Sequence, residues 1–372
     1  MKTYVFPGQG SQVKGMGADL FDRYRDLVDQ ADAVLGYSIR ELCLADPRGE
    51  LNKTQFTQPA LYTVNALTYF AKRDDGASAP DFFAGHSLGE YNALLAAECF
   101  DFVTGLKLVQ RRGELMGQVS GGAMAAVLNA SKEDIEATLA KNGLDGIDLA
   151  NHNSPSQIVI SGTADDMARA APLFKQGKVR FYPLNTSGAF HSRHMRDAMT
   201  RFRQFLDRYA FAAPKIPVIA NATARPYDGA NVADTLARQI ANPVQWTSGV
   251  QYLLALARGR GETMTFEEFG PGDVLTRLVD AIARQTPDAL LDGLVAADRA
   301  PAGPAAAKPA SAADKVSAWN AKHPVGTRVK STIADGDVLE TRTEAVVLFG
   351  HRAAVYMKGY NGYFDLDEVV PG

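Results

Sequence analysis

A short apolar run that leads into a glycine-flanked serine places the strongest constraint on the fold of this chain. Asp81–Gly85 predicts a buried strand, Leu88–Ala97 predicts a helix, and Gly85-His86-Ser87-Leu88-Gly89 joins the two. This Gly-x-Ser-x-Gly pattern is typical of a sharp strand-to-helix turn that lifts the serine hydroxyl out of a sheet. The flanking positions must be small because strand and helix pass very close together. The pattern predicts an α/β fold with Ser87 as a nucleophile, and a simple turn is the alternative.

The first 296 residues alternate short apolar runs with longer helical patterns, which favours an α/β domain. Pro59 stands where we predict that a helix through Phe70 begins. The rhythm changes over about 121–187, where Ser131 and Asp134 predict a helix with a capping box. The strands predicted in this segment are Met124–Leu128, Ile158–Ser161 and Val179–Leu184. We interpret the segment as a βαββαβ-type subdomain inserted into the larger fold.

The composition changes sharply after residue 296. Alanine, proline and lysine dominate 297–313, which predicts a linker because such a stretch cannot build a core. Within 314–372, the stretch Gly326–Val370 is dense in Val, Thr, Tyr and Phe and punctuated by glycines, which predicts a small β module, a short-stranded barrel. The predicted organisation is therefore one large domain over 1–296, a linker, and a small C-terminal module.

Charge and cysteine content exclude several classes of protein. The formal net charge is -3, whereas binding to nucleic acid needs a strong basic excess. The two cysteines, Cys43 and Cys99, are too few for a disulfide framework or a clustered thiolate metal site. No leader pattern precedes the first predicted strand, and no apolar run is long enough to span a membrane. We expect a soluble, cytoplasmic, monomeric protein without metal, cofactor, membrane or nucleic-acid partner.

A serine hydroxyl needs a base to take its proton. His191 follows Gly188-Ala189-Phe190 just after a predicted strand, a natural place for a base on a loop. His152 is the alternative, and His86 lies inside the turn itself. His191 and His194 also form a His-x-x-His pair, but no third ligand accompanies them, so a metal site is not favoured.

Acyl transfer through a serine also needs two N–H donors for the oxyanion of its intermediate. The residue after the nucleophile, Leu88, supplies one of them. Gly8-Gln9-Gly10-Ser11-Gln12 directly follows the first predicted strand and can bring a second backbone N–H close. The alternative is an ordinary glycine-rich turn, and a phosphate-binding loop is only weakly indicated.

These residues belong to an ordered series of motifs that closely resembles the malonyl-CoA:acyl-carrier-protein transacylase family, over about residues 1–296. The motifs are Phe6-Pro7-Gly8-Gln9-Gly10-Ser11-Gln12, Gln58-Pro59-Ala60, Gly85-His86-Ser87-Leu88-Gly89-Glu90-Tyr91, Arg111-Arg112-Gly113, Asn151-His152-Asn153-Ser154-Pro155, Ala189-Phe190-His191-Ser192, Asn242-Pro243-Val244-Gln245-Trp246 and Phe269-Gly270-Pro271-Gly272. The resemblance implies an α/β-hydrolase-like core with an inserted ferredoxin-like subdomain at about 121–187.

The resemblance also implies catalytic roles. Ser87 would be the nucleophile and His191 its base. The backbone of Gln9 and Leu88 would hold the oxyanion. The main-chain carbonyl of Gln239 would orient the histidine and replace the acid of a conventional triad.

In the same way the resemblance implies a substrate pocket. Arg112 would pair with the free carboxylate of a malonyl group, which a planar guanidinium suits better than lysine. Gln58 and Asn153 would line the acyl pocket. Phe190 would exclude a 2-methyl branch, a preference of roughly 10–200-fold.

An acyl carrier protein is usually acidic, so we expect a basic surface beside the cleft. Arg196 and Arg203 lie seven residues apart on the helix after His191, and Arg193 is nearby. They are our candidates for docking, with an ordinary solvated helix face as the alternative.

The predicted reaction moves malonyl from malonyl-CoA to the phosphopantetheine thiol of an acyl carrier protein through a malonyl-serine. The appended module and the Gly-Ala-Phe-His form resemble free-standing enzymes that serve polyketide synthases in trans. A housekeeping transacylase of fatty-acid synthesis, an acyl hydrolase that clears stalled carrier proteins, and a non-catalytic carrier-binding scaffold are the alternatives.

Overall fold

A computed structural model describes residues 1–186, 188–299, 311–331, 338–348, 352–360 and 363–371. The chain divides into two compact units, Met1–Asp298 and Arg299–Gly372. The strands of the first unit are β1 Lys2–Phe6, β2 Phe82–Gly85, β3 Gly122–Leu128, β4 Asp148–Ser154, β5 Gln157–Thr163, β6 Arg180–Pro183, β7 Val218–Ile219 and β8 Thr265–Glu268. Its helices are α1 Arg25–Leu35, α2 Ile39–Leu44, α3 Thr54–Asp74, α4 Gly89–Ala96, α5 Phe102–Gly117, α6 Lys132–Lys141, α7 Ala164–Ala170, α8 Arg196–Leu206, α9 Val232–Gln239, α10 Trp246–Gly259, α11 Val274–Gln285 and α12 Asp288–Arg299.

A four-stranded parallel sheet, in the order β7-β2-β1-β8, forms the centre of the first unit. Strands β2 and β7 carry no polar side chain because both faces of the sheet are covered there, whereas the edge strand β8 is only partly buried and carries Glu267 and Glu268. Phe6 and Phe83 point into a core shared with α3, α4 and α5. The neighbouring Val5 and Ala84 point to the opposite core, built with α10 and α11. The alternation of side chains along each strand thus supplies both layers of helices.

A second sheet occupies the segment in which the rhythm of the sequence changes. Strands β3 to β6 pair antiparallel in the order β4-β5-β3-β6, and α6 and α7 complete an order of strand, helix, strand, strand, helix, strand. This order agrees with the sequence prediction. The predicted capping box of Ser131 and Asp134 at the start of α6 is also confirmed.

The predicted start of the third helix is wrong. Helix α3 begins at Thr54, and Pro59 lies inside it. Proline lacks the N–H that would bond to the carbonyl of Gln55, so it costs the helix one hydrogen bond. The side chains of α3 from Thr57 to Leu67 are buried, and packing on all sides offsets this loss.

Backbone contact between strand β1, the turn and helix α4 explains the two glycines of the Gly-x-Ser-x-Gly motif. A Cβ on Gly89 would lie 2.0 Å from the carbonyl oxygen of Phe6. A Cβ on Gly85 would lie 2.0 Å from the carbonyl carbon of Gly89. No side chain fits at either position, as the sequence predicted, and the helix begins directly against the edge of the sheet.

The second unit combines helix α13 with two small antiparallel sheets. Its helix is α13 Ala312–Asn320, and its strands are β9 Arg328–Ser331, β10 Val338–Glu340, β11 Val346–Leu348, β12 Arg352–Tyr356, β13 Tyr363–Asp365 and β14 Val369–Pro371. The sheet orders are β10-β9-β14 and β11-β12-β13. Val329, Leu339 and Val355 form the core, with Trp319 of α13 packed against it.

The predicted linker at 297–313 includes the boundary between the two units, but its described ends are helical. Helix α12 reaches Arg299 and helix α13 begins at Ala312, while 300–310 lie outside the described residues. Over the described ranges, none of the helices is both long and apolar enough to cross a bilayer.

Replacing Gly89 by alanine tests the backbone contact. We expect Gly89→Ala to lower the free energy of unfolding by about 3 kcal/mol or more, because the new methyl group collides with rigid backbone. Gly293→Ala is the matched control, since nothing lies within 4 Å of a Cβ at that position. It should raise the free energy by about 0.5–1 kcal/mol. Urea titration measures both, and equal stabilities for the two variants would contradict the contact.

Candidate active site

Ser87 sits at the tip of the turn between β2 and α4. Its φ angle of 51° lies in the left-handed region, which is costly for a residue with a side chain. Asn221, just after β7, holds the turn from both sides: its Oδ1 accepts from Ser87 N at 2.7 Å, and its Nδ2 donates to Gly85 O at 2.7 Å. No motif in the sequence pointed to Asn221.

His191 meets Ser87 directly. The Ser87 Oγ to His191 Nε2 distance is 2.7 Å, and His191 Nδ1 lies 2.9 Å from the main-chain oxygen of Gln239. A carbonyl only accepts, so Nδ1 carries the hydrogen and Nε2 is left to accept from the serine hydroxyl. Burial, and then the charge of Arg112, lower the pKa of His191 to about 3. The imidazole is therefore neutral and ready to act as a base at ordinary pH.

Arg112 is a buried cation beside the Ser87 hydroxyl. Its side chain is 1% exposed on helix α5. One terminal nitrogen donates to Gln58 Oε1 at 2.8 Å. The other donates to Ser87 Oγ at 3.0 Å and to Gln239 Oε1 at 2.9 Å. The Arg112 Nε is buried without a hydrogen-bond partner among the described residues. The site thus offers a fixed positive charge.

The loop after β1 packs against the turn that carries Ser87. A Cβ on Gly8 would lie 2.3 Å from His86 O and 3.6 Å from Leu88 N. Leu88 is the N-cap of α4, where N–H groups have no acceptor within the helix. The side chain of Gln9 donates to Thr54 Oγ1 at 3.2 Å. Both residues expected to hold an oxyanion therefore lie on segments that the fold brings together.

The three residues expected to line the acyl pocket, Gln58, Asn153 and Phe190, make different contacts. Gln58 is held by Arg112, as above, whereas Asn153 Oδ1 lies 2.8 Å from His86 Nε2. Phe190 is 5% exposed, belongs to the main core, and directly precedes His191. Its ring lies against the backbone of Gly188, where a Cβ would come within 2.8 Å.

Glu90, a functional candidate that the sequence analysis missed, lies one helical turn after Ser87. It is 0% exposed and accepts from Gln239 Nε2 at 2.6 Å, from Asn221 N at 3.3 Å and from the hydroxyl of Tyr227. Burial raises the pKa of Glu90 to about 7. The only signal in the sequence was its place in the motif after the serine.

A cavity of about 760 Å³ opens beside His191, lined by Lys132, His152, Arg193, Arg196, Asn242 and Gln245 among others. His152, the alternative base, thus lies on this cavity wall, and its Nε2 has no hydrogen-bond partner among the described residues. In His194, the second histidine of the His-x-x-His pair, Nε2 lies 3.2 Å from Gly146 O.

The three arginines proposed for docking differ in their contacts. Arg193 is paired with Asp148. Arg203 is largely covered and is paired with Asp207 and Asp234. Arg196 is exposed at the rim of the cavity. Only Arg196 thus has its charge directed to the cavity without a carboxylate partner among the described residues.

Comparison with known proteins gives a consistent result. Residues 3–288 match the acyl transferase domain family. The chain is 53% identical over 286 residues to the polyketide biosynthesis malonyl CoA-acyl carrier protein transacylase PksC of Bacillus subtilis (strain 168), covering 76% of this chain and 98% of PksC. It is 52% identical over 287 residues to the polyketide biosynthesis protein PksE of the same organism, covering 77% of this chain but only 37% of PksE.

Among solved structures, the malonyl CoA-acyl carrier protein transacylase of Burkholderia pseudomallei aligns with a TM-score of 0.76 and 62% identity. The alignment covers 77% of this chain and 99% of that chain. Since the family match spans most of the chain and PksC is covered almost end to end, this chain belongs to the acyl transferase domain family, among the malonyl CoA-acyl carrier protein transacylases.

Proposed function

We propose that this chain transfers malonyl from malonyl-CoA to the phosphopantetheine thiol of an acyl carrier protein. The observation that carries the proposal is the buried guanidinium of Arg112, 3.0 Å from the Ser87 hydroxyl that already bonds to His191. A cation so close to a serine nucleophile suits an acyl group that ends in a carboxylate. A hydrolase of neutral acyl chains has no use for such a buried charge.

In the first step Ser87 Oγ attacks the thioester carbonyl of malonyl-CoA and gives its proton to His191 Nε2. The backbone N–H groups of Leu88 and Gln9 stabilise the oxyanion of the tetrahedral intermediate. The C–S bond then breaks, and the coenzyme A sulfur leaves with the proton from His191. The product is a malonyl-serine ester and free coenzyme A.

In the second step the pantetheine thiol of the carrier protein attacks that ester. His191 takes the thiol proton and returns it to Ser87 Oγ as the ester bond breaks. The carbonyl of Gln239, 2.9 Å from His191 Nδ1, stabilises the imidazolium in both steps without a triad carboxylate. Throughout, the malonyl carboxylate pairs with Arg112, while Gln58 holds the guanidinium in place.

Two finer features belong to the same proposal. We assign the core to the α/β-hydrolase-like kind, which the parallel sheet and the serine turn support, and the inserted subdomain to the ferredoxin-like kind, which its strand order supports. We also infer service to a polyketide synthase in trans, on the likeness to PksC. For the acidic carrier protein we keep Arg196 as the docking candidate, because Arg193 and Arg203 are paired with carboxylates.

Intact-mass measurement after mixing with malonyl-CoA tests the reaction. We expect a malonyl adduct that requires Ser87 and discharges onto a holo carrier protein. Arg112→Ala should slow malonylation by roughly 10–150-fold, because a hydrogen bond to a charged group is lost. Acetylation from acetyl-CoA should change much less in the same variant. Hydrolysis of acyl carrier proteins without any malonyl adduct would favour the hydrolase alternative.

The low pKa of His191 predicts an unusual pH profile. The rate at which a neutral serine reagent such as phenylmethylsulfonyl fluoride inactivates the enzyme should stay flat from about pH 8 down to about pH 5. An ordinary histidine would lose half of its base form near pH 6.5. In Arg112→Ala the fall should move to higher pH, since removing a positive charge raises the pKa of His191. A wild-type midpoint above about pH 6 would contradict this account.

Phe190 is expected to select against a branched acyl group. Phe190→Ala should narrow the preference for malonyl-CoA over methylmalonyl-CoA, roughly 10–200-fold in the wild type, to near equality. The adduct masses from an equal mixture of the two substrates measure this ratio. An unchanged ratio in the variant would reduce Phe190 to a core residue.

A further inference from the structure

Two charged side chains are buried side by side in this protein. Among the described Asp, Glu, Lys and Arg residues, Glu90 at 0% exposure and Arg112 at 1% are the ones classed as buried. Removing charges from water is expensive unless each is compensated. Arg112 has its role in the proposed reaction, whereas the mechanism leaves Glu90 without one.

A single amide connects the two charges in place of a direct ion pair. Gln239 Oε1 accepts from Arg112 at 2.9 Å, and Gln239 Nε2 donates to Glu90 Oε2 at 2.6 Å. The same Nε2 donates to Ser87 O at 2.7 Å. Each end of the amide therefore faces the partner it can bond, and the reversed orientation would set donor against donor and acceptor against acceptor.

Other contacts hold the carboxylate of Glu90 in place. Its second oxygen accepts from the Tyr227 hydroxyl and from the backbone of Asn221. These donors hold the carboxyl group one amide away from the guanidinium. A carboxylate in direct contact would occupy Arg112 with strong, parallel hydrogen bonds, as a substrate carboxylate does.

We propose that Gln239 is a specificity-determining residue, whose side-chain amide stands between Glu90 and Arg112 and keeps that carboxylate off the guanidinium. The inference rests on the proposed pairing of Arg112 with malonyl. It gives the Gln239 side chain a task separate from that of its main-chain carbonyl, which orients His191.

Exchanging the two residues tests the proposal. The double variant Glu90→Gln with Gln239→Glu keeps the total charge and the main-chain carbonyl but places the carboxylate directly on Arg112. We expect its ratio of malonylation to acetylation rates, measured on the full chain by intact mass, to fall at least about tenfold. The acetylation rate is the reference, because any disturbance of Ser87 should slow both reactions. Such a disturbance is expected, since the Ser87 carbonyl loses the Gln239 Nε2 donor in this variant.

Glu90→Gln alone is the matched control. It removes the carboxylate but leaves Gln239 on Arg112, so the ratio should stay within about threefold of the wild type. A double variant that keeps the wild-type ratio would overturn the proposal, and so would a Glu90→Gln ratio as low as that of the double variant. If Glu90→Gln does not fold, as judged by circular dichroism, the double variant decides alone.

Arg112→Ala separates this inference from the proposed function. If that variant keeps the wild-type preference for malonyl, the proposed role of Arg112 fails and the inference fails with it. If Arg112→Ala loses the preference while the double variant retains it, the transferase stands and only the role of the Gln239 side chain is refuted.

Discussion

The close approach of β1, the serine turn and α4 is the constraint on which the rest of the active site depends. Helix α4 begins so close to the sheet that a Cβ on Gly89 would lie 2.0 Å from Phe6 O. Ser87 is thereby forced into a left-handed conformation at the tip. The same contact brings the loop after β1, with Gln9, beside the N–H of Leu88. On the proposed function, the nucleophile and the oxyanion donors are therefore all positioned by one backbone packing arrangement.

The two buried ionisable side chains are tolerated because polar groups form hydrogen bonds with them. Arg112 and Glu90, with the neutral His191 beside them, are nearly inaccessible to water, and an unpaired charge buried there would cost several kcal/mol. Gln239 forms hydrogen bonds with all three residues: its side-chain oxygen bonds to Arg112, its side-chain nitrogen to Glu90, and its main-chain carbonyl to His191. A buried site also strengthens every electrostatic interaction with the substrate. The hydrogen bonds of Gln239 and Gln58 hold these groups in place before a substrate binds.

Sequence reasoning reached the parts of this site that local pattern encodes. The strand, turn and helix around Ser87 follow from glycine spacing and apolar runs, and the inserted subdomain follows from its own rhythm. The position of His191 against Ser87, 104 residues apart, was favoured by its loop but needed the family resemblance to be preferred over His152. Sequence reasoning missed Glu90 and Asn221 because their contacts are tertiary hydrogen bonds, which the spacing of residues along the chain does not reveal. The start of α3 was mispredicted for a similar reason. Proline favours the first turn of a helix, but the burial of α3 stabilises a helix that begins five residues earlier, at Thr54.

The electrostatics of the site also couple recognition to catalysis. A histidine whose pKa is about 3 is deprotonated at ordinary pH but is a weak base, which is unfavourable for taking a proton from serine. One cause of the low value is the positive charge of Arg112. On the proposed function, a malonyl carboxylate neutralises that charge when it binds, so the basicity of His191 rises only in the complex. An acyl group without a carboxylate leaves the base weak. Malonyl is then selected in the proton-transfer step as well as in binding.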